Sequence, residues 1–337
     1  MSRRTTLAAM DSGPTDEGAH LTQGSPRMDW PDLPAHVRAR VEHLLGAPVV
    51  QAATQRGGFS PGVAARVRTA DGGRAFVKAA GLDLNPGTPS IHRREAAVVA
   101  DLPAGLPVPA LLGSLDDGDW VALVLEDLPG RHPHLPWHAD ELDRVLTTVV
   151  DLHAELTPTP LSWAPTAWDD LEGDLTHWQR LASQPAPPPG LDGWTLRHLP
   201  ALVELESGAR QACAGDTLLH MDLRSDNLLV TDDDVRVVDW PWACVGHPLL
   251  DAAVFAITVA TQGGPPPSQT VDALGTRHPD IRGADPDARA ALAVALAGYF
   301  TASSLEPPPP GLPTLRAFQA AQGTVARQWV RDLCLPG

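Results

Sequence analysis

The chain reads as an α+β protein of two lobes, a small antiparallel sheet followed by a larger, mostly helical region. Three observations predict this. Up to Leu125 the segment order is strand, strand, strand, helix, strand, strand, with tight turns too short for parallel crossovers. Beyond Gly130 the apolar residues recur at helical spacing. The 337 residues suffice for about two lobes at roughly 150 residues each, and no internal repeat divides them otherwise.

Residues 1–28 are rich in Ser, Thr, Gly and Asp without periodicity, and predict a disordered tail. Residues 29–128 form the first lobe and 129–337 the second. Asp32–Leu45 predicts a short amphipathic helix, and Val49–Gln55, Val63–Thr69 and Arg74–Ala79 predict strands, with Asp71-Gly72-Gly73 turning the last pair. Ser90–Leu102 predicts a helix with Ser90 as its cap. Leu111–Leu115 and Trp120–Leu125 predict a hairpin around Asp116-Asp117-Gly118. In the second lobe, helices are expected over Asp140–Leu156, Asp169–Ala182, Pro200–Cys213, Leu249–Thr261, Asp287–Ser304 and Thr314–Leu333. Pro265–Pro267 and Pro307–Pro310 are expected linkers. Thr217–Leu219 predicts a short strand, and Leu228–Val230 and Val235–Val238 a hairpin across Asp232-Asp233-Asp234.

A net charge of −16 repels phosphate backbones and anionic membranes, which disfavours nucleic-acid and lipid partners and suits a cationic small molecule. Cys213, Cys244 and Cys334 share no metal-ligand spacing and make no disulfide framework, so a reducing cytoplasm is expected. Lys78 is the only lysine among 25 basic residues. A lysine that persists against such bias marks a site where the bulk and fork of arginine do not fit, unless location shows otherwise.

The densest signal is Leu219-His220-Met221-Asp222-Leu223-Arg224-Ser225-Asp226-Asn227, followed by the hairpin and then Asp239-Trp240. A hairpin of that length brings Asn227 and Asp239 side by side. Two oxygen donors there suit Mg²⁺, a hard cation that also takes phosphate oxygens. Asp222, a loop turn away, is placed to accept a hydroxyl proton. A base beside two metal ligands is the division of labour of a kinase.

His-x-Asp-x4-Asn followed by an apolar residue and Asp-Trp resembles the aminoglycoside phosphotransferases and related small-molecule kinases of the protein-kinase-like fold. The resemblance runs over roughly residues 45–335. It implies that Lys78 holds the nucleotide phosphates and that Glu95, on the following helix, pairs with it. It implies that Gly57–Gly62 covers the phosphates, with Gly58 at the loop and Ser60 donating from its tip, although this loop is neither G-x-G-x-x-G nor a Walker A. Leu125-Glu126-Asp127-Leu128 becomes the hinge, with Glu126 and Leu128 facing the adenine. Asp251 becomes the buried acid that braces the catalytic loop. The helical stretch with Trp163, Trp168, Trp178 and Trp194, accompanied by Asp169, Asp170, Glu172 and Asp174, becomes the acceptor pocket, with Trp168, Asp169, Asp170 and Trp178 as its candidate residues. Arg224, two residues after Asp222, occupies the spacing of a lysine in serine/threonine protein kinases, which implies stabilisation of the transferring phosphoryl group. The bland alternative is an ion pair with Asp226.

The expected activity is ATP- and Mg²⁺-dependent phosphorylation of a small-molecule hydroxyl, with GTP also open as donor. An aminoglycoside-like or other cationic antibiotic is the first acceptor expected, and a sugar, choline-like or amino-alcohol metabolite the second. A pseudokinase that only binds nucleotide is disfavoured by the intact Lys78, Asp222, Asn227 and Asp239. Monomer and homodimer both remain open.

Overall fold

A computed structural model describes residues 27–55 and 61–335. The first lobe is a five-stranded antiparallel sheet in the order β1-β2-β3-β5-β4, built from β1 (Val49–Thr54), β2 (Val63–Thr69), β3 (Arg74–Gly81), β4 (Leu111–Asp116) and β5 (Trp120–Leu125). Alternation along β5 assigns its side chains to two faces. Ala122 and Val124 pack with Val37 and Val41 of α1 (Ala35–Leu45), and with Val67, Ala75 and Val77 of β2 and β3. Val121, Leu123 and Leu125 meet Val98 and Val99 of α2 (Thr88–Asp101), and this face is continuous with the core of the second lobe. One strand therefore couples the lobes, and it runs directly into Glu126–Leu128.

The second lobe contains α3 (Ala139–Glu155), α4 (Ala167–Leu171), α5 (His177–Ala182), α6 (Gly193–Glu206), α7 (Ala209–Ala212), α8 (Pro248–Thr261), α9 (Pro267–Arg277), α10 (Pro279–Gly283), α11 (Pro286–Ser304) and α12 (Leu315–Leu333). Residues 248–259 of α8 are all buried, which makes it the central helix. α11, rich in alanine, packs closely along α12. Two small antiparallel ladders lie at the lobe junction: β6 (Thr217–Leu219) with β9 (Cys244–Gly246), and β7 (Leu228–Val230) with β8 (Val235–Val237).

Several expectations need correction. Ser90 is not the cap of α2: the helix begins two residues earlier, and the side-chain oxygen of Asn85 accepts from the Gly87 and Thr88 amides at 2.9 and 3.1 Å. The helix expected over Asp169–Ala182 is two helices, α4 and α5, interrupted around Gly173. The amides of Trp178 and Gln179 that open α5 donate to the carboxylate of Glu206, both at 2.9 Å, so a distant residue caps the second piece. Pro200 does not start a helix; it sits inside α6, which Asp192 caps by accepting from the Thr195 amide at 2.7 Å. The supposed linker at Pro265–Pro267 runs into α9, with Pro267 at its first turn. The tail expected to reach residue 28 is ordered at its end, where the Met28 amide donates to the Gly62 carbonyl at 3.1 Å. No helix among the described residues is long and apolar enough to cross a membrane.

Candidate active site

Strand β3 carries Lys78 to the rim of the cleft between the lobes. Its ammonium donates to Glu95 Oε1 and Oε2 at 2.7 and 2.9 Å, and to Asp239 Oδ1 at 2.8 Å. Glu95 comes from α2, and Asp239 from the segment after β8, so this one cation joins both lobes. Burial opposes the Lys78 charge, but Asp239 and then Glu95 outweigh it and hold its pKa above the usual lysine value. Burial alone would raise Asp239, yet Lys78 draws it down to about 2. Burial pushes Glu95 up to about 7 against the pull of the same ammonium.

The β7–β8 hairpin sets the next pair. The Val238 amide donates to the Asn227 carbonyl at 2.9 Å, which brings the residue before Asp239 against Asn227. The Asn227 side-chain amide donates to the backbone carbonyl of Asp222 at 2.8 Å and to its carboxylate at 3.0 Å. With its nitrogen engaged there, the side-chain oxygen of Asn227 is the donor left for a cation. Burial pushes Asp222 up to about 7, opposed by Arg224 and reinforced by Asp239 and Asp226.

The loop that holds Asp222 is braced from beneath. Asp251, on the central helix, accepts from the amides of His220 and Met221 at 3.0 and 2.9 Å and lies 3.1 Å from His153 Nε2. His220 accepts the Asp222 amide on Nδ1 at 3.1 Å and so carries its proton on Nε2, which faces the Val238 carbonyl at 3.0 Å. This histidine ties the catalytic loop to the Asp239 segment and has no ring nitrogen left for proton transfer. Met221 and Asp239 both adopt positive φ, 64° and 70°, a region costly for side chains with a Cβ.

A cleft of about 250 Å³ opens beside these groups, lined by Phe76, Lys78, Glu126, Leu128, Asn227 and Asp239 among others. Glu126 and Leu128 thus lie where the hinge was expected. Gly58 and Ser60 fall outside the described residues. Asp127, between the two hinge residues, also lines this cleft and pairs with Arg74 at 2.6 Å.

Other expected residues have different places. Arg224 is buried, with Nε 2.9 Å from Asp226 and 3.6 Å from Asp222, and its guanidinium lies over the Phe318 ring. The contact with Asp226 is the ion pair that stood as the alternative to a phosphate-facing role. Trp178 is fully buried, with its indole donating to the Val294 carbonyl at 2.8 Å, and belongs to the core instead of an acceptor pocket. Asp170 pairs with Arg94 of α2 at 2.5 Å, a contact between lobes. Asp169 closes a cap with Thr166, whose hydroxyl donates to it at 2.7 Å. Trp168 is half-buried beneath the guanidinium of Arg210.

Two groups were missed. Tyr299 of α11 feels the charges of Asp174 and Asp222 together, and burial, then these acids, push its hydroxyl up to about 12. The one sequence signal was that it is the single tyrosine of the chain. Arg27 lines the cleft from a segment read as tail, and nothing in its local sequence marked it.

The model of a phosphotransferase enzyme family matches residues 56–292. No curated protein matches the chain in sequence. Among solved structures, the chain is similar to a thermostable mutant of an aminoglycoside phosphotransferase in ternary complex with AMP-PNP and hygromycin B, at 15% identity and a TM-score of 0.54, covering 87% of this chain and 98% of that one. It is similar to a choline kinase from Streptococcus pneumoniae, at 14% identity and a TM-score of 0.55, over 88% and 98% of the two chains. A third similar structure is an amicoumacin kinase in complex with AMP-PNP and Ca²⁺, at 14% identity and a TM-score of 0.54, over 84% and 88%. At these identities the likeness establishes the fold.

Proposed function

The chain belongs to the phosphotransferase enzyme family, and on that premise we propose that it transfers the terminal phosphate of ATP to a hydroxyl of a cationic small molecule. The observation that carries this reading is the convergence of Lys78, Glu95 and Asp239 on one side of Asn227 and of Asp222 on the other. Asp222 orients the acceptor hydroxyl and takes its proton. Asn227 and Asp239 are a hard oxygen pair that fits Mg²⁺, and the metal, when bound, supplies charge neutralisation of the phosphates. Lys78 positions the phosphates, and Glu95 holds Lys78. Glu126 and Leu128 offer backbone groups to the base, so ATP is the expected donor and GTP the comparison.

The acceptor side supports a cation. Tyr299 lies in the field of both Asp174 and Asp222, and Trp242, just past the Asp239 segment, is 42% exposed. Acids hold ammonium groups and an exposed indole face holds a cation or a sugar ring. An antibiotic with several amino groups fits this set, which makes a resistance role the leading one. The test is ATP consumption against a panel of aminoglycosides, other cationic antibiotics, choline and amino alcohols, with product mass showing an added phosphate. Turnover of an antibiotic, and protection of a sensitive host, is the expected result. Turnover confined to choline-like or sugar acceptors would move the assignment to metabolism. Binding of ATP without turnover of any acceptor would point to a pseudokinase.

A further inference from the structure

Arg27 is remote in sequence from every motif, yet it lines the same cleft as Lys78, Asn227 and Asp239. Its backbone is held in place. Arg27 bridges in parallel to Gly62, and the next amide, that of Met28, donates to the Gly62 carbonyl at 3.1 Å. Gly62 is itself fixed at φ 118°, where an added Cβ would lie 2.3 Å from the carbonyl oxygen of Ala79, the neighbour of Lys78. A little further along, Trp30 and Leu33 are buried in the core of the first lobe. The chain is thus anchored at Arg27 itself and on its C-terminal side.

Charge gives this position a purpose. The cleft must accept a polyanion, yet it presents Glu95, Asp226 and Asp239, with Asp222 close by. Lys78 is shared between two carboxylates at 2.7 and 2.8 Å, so its charge is largely compensated before a phosphate arrives. Arg224 is engaged with Asp226. Arg27 and Arg66 are further cations of this wall, Arg66 lying 3.4 Å from Asp127 and Arg27 in the field of Asp239 and Asp226. Burial lowers the pKa of Arg27 from the usual arginine value, while the nearby charges of Asp239 and Asp226 oppose that fall. Its field also reaches His92, beneath Lys78. A guanidinium offers a planar fork that matches two phosphate oxygens, a geometry that the lysine ammonium lacks.

We propose that Arg27 is a phosphate-binding residue of this enzyme, a second cation that grips the nucleoside triphosphate from the N-terminal segment while Lys78 grips it from β3. This inference rests on the reading of the cleft as a nucleotide site. It also makes the segment before the sheet part of the nucleotide-binding wall.

The experiment is titration of the full chain, and of its Arg27→Ala and Arg27→Lys variants, with ATP, ADP, AMP and adenosine in the presence of Mg²⁺. Melting temperatures are recorded alongside. Arg27→Ala should weaken ATP binding about tenfold, ADP less, and adenosine not at all, at an unchanged melting temperature. Arg27→Lys should recover part of the ATP affinity. Unchanged ATP affinity in Arg27→Ala would overturn the proposal. Equal losses for ATP and adenosine would reduce Arg27 to a structural role, and tighter ATP binding would make it a plug that competes with the nucleotide. A wild-type chain that binds no nucleotide would bring down the functional reading as well, whereas tight wild-type binding with an indifferent variant would remove this inference alone.

Discussion

The two sides of the active-site cleft are built in different ways. On the proposed nucleotide side, Lys78 sits within β3, Asn227 just before β7 and Asp239 two residues after β8, and short-range geometry places them. Hydrogen bonds of the β7–β8 hairpin bring Asn227 to the Asp239 segment, and β3 delivers Lys78. On the side proposed for the acceptor, Asp174 lies between α4 and α5 and Tyr299 on α11, and only packing of the second lobe brings Tyr299 into the field of Asp174 and Asp222. A site made of local turns leaves a dense motif in the sequence. A site made where helices pack leaves scattered residues whose partners are set by the core.

That contrast can be tested, beginning with the residue that both sides share. Asp222→Asn should lower turnover by about 10² to 10⁴ with every acceptor, while nucleotide titration and melting temperature stay near wild type. A variant within a few-fold of wild type would remove Asp222 from the chemistry.

On the nucleotide side, Lys78→Arg should lower kcat/KM by roughly 10- to 100-fold despite the conserved charge. The ammonium fits between Glu95 and Asp239 at 2.7 and 2.8 Å, and a planar guanidinium needs more room and another donor geometry. Steady-state kinetics in ATP decide this, and full activity would reduce the lone lysine to an accident of composition.

On the acceptor side, Asp174→Asn should act only on that substrate. We expect KM for a cationic acceptor to rise about tenfold, with KM for ATP unchanged. A parallel rise in both constants would show that the two sides are not separable.

The smallest effect on catalysis is expected at Glu206, which serves the architecture of the acceptor lobe. Burial pushes its carboxyl up to about 7 from an ordinary value of 4.5, against the pull of the Trp178 and Gln179 amides. A pKa raised by folding favours the protonated form. The stability it confers is therefore complete below about pH 4.5 and is lost as pH rises through about 7. Melting temperature should fall across that window in the wild type, and Glu206→Gln should flatten the fall, whatever its absolute stability. An unchanged slope would show that Glu206 does not titrate there.

Asp222, Asn227 and Asp239 were legible because turn chemistry and sequence spacing dictate where they go. The same holds for the five strands of the first lobe, whose alternation and Gly-containing turns fix pairing within a few residues. Strand β9 was missed because three residues, Cys244–Gly246, become a strand only by pairing with β6. The break between α4 and α5 was missed because an uninterrupted helix satisfies its own amides, and only Glu206 makes the interruption stable. Arg224 was read as a phosphate ligand from its spacing alone, whereas Asp226 and Phe318 decide where its side chain rests.

By itself, then, the sequence determined the two-lobed α+β plan and the set Lys78, Asp222, Asn227 and Asp239, because each depends on periodicity or on hydrogen bonds between near neighbours. The tertiary structure alone decided that Trp178 is core, that Asp170 joins the lobes through Arg94, that Arg27 lines the cleft, and that Tyr299 lies in the field of Asp174 and Asp222. Those assignments depend on which surfaces are buried against one another. Burial is a property of the whole chain, and no local window of residues contains it.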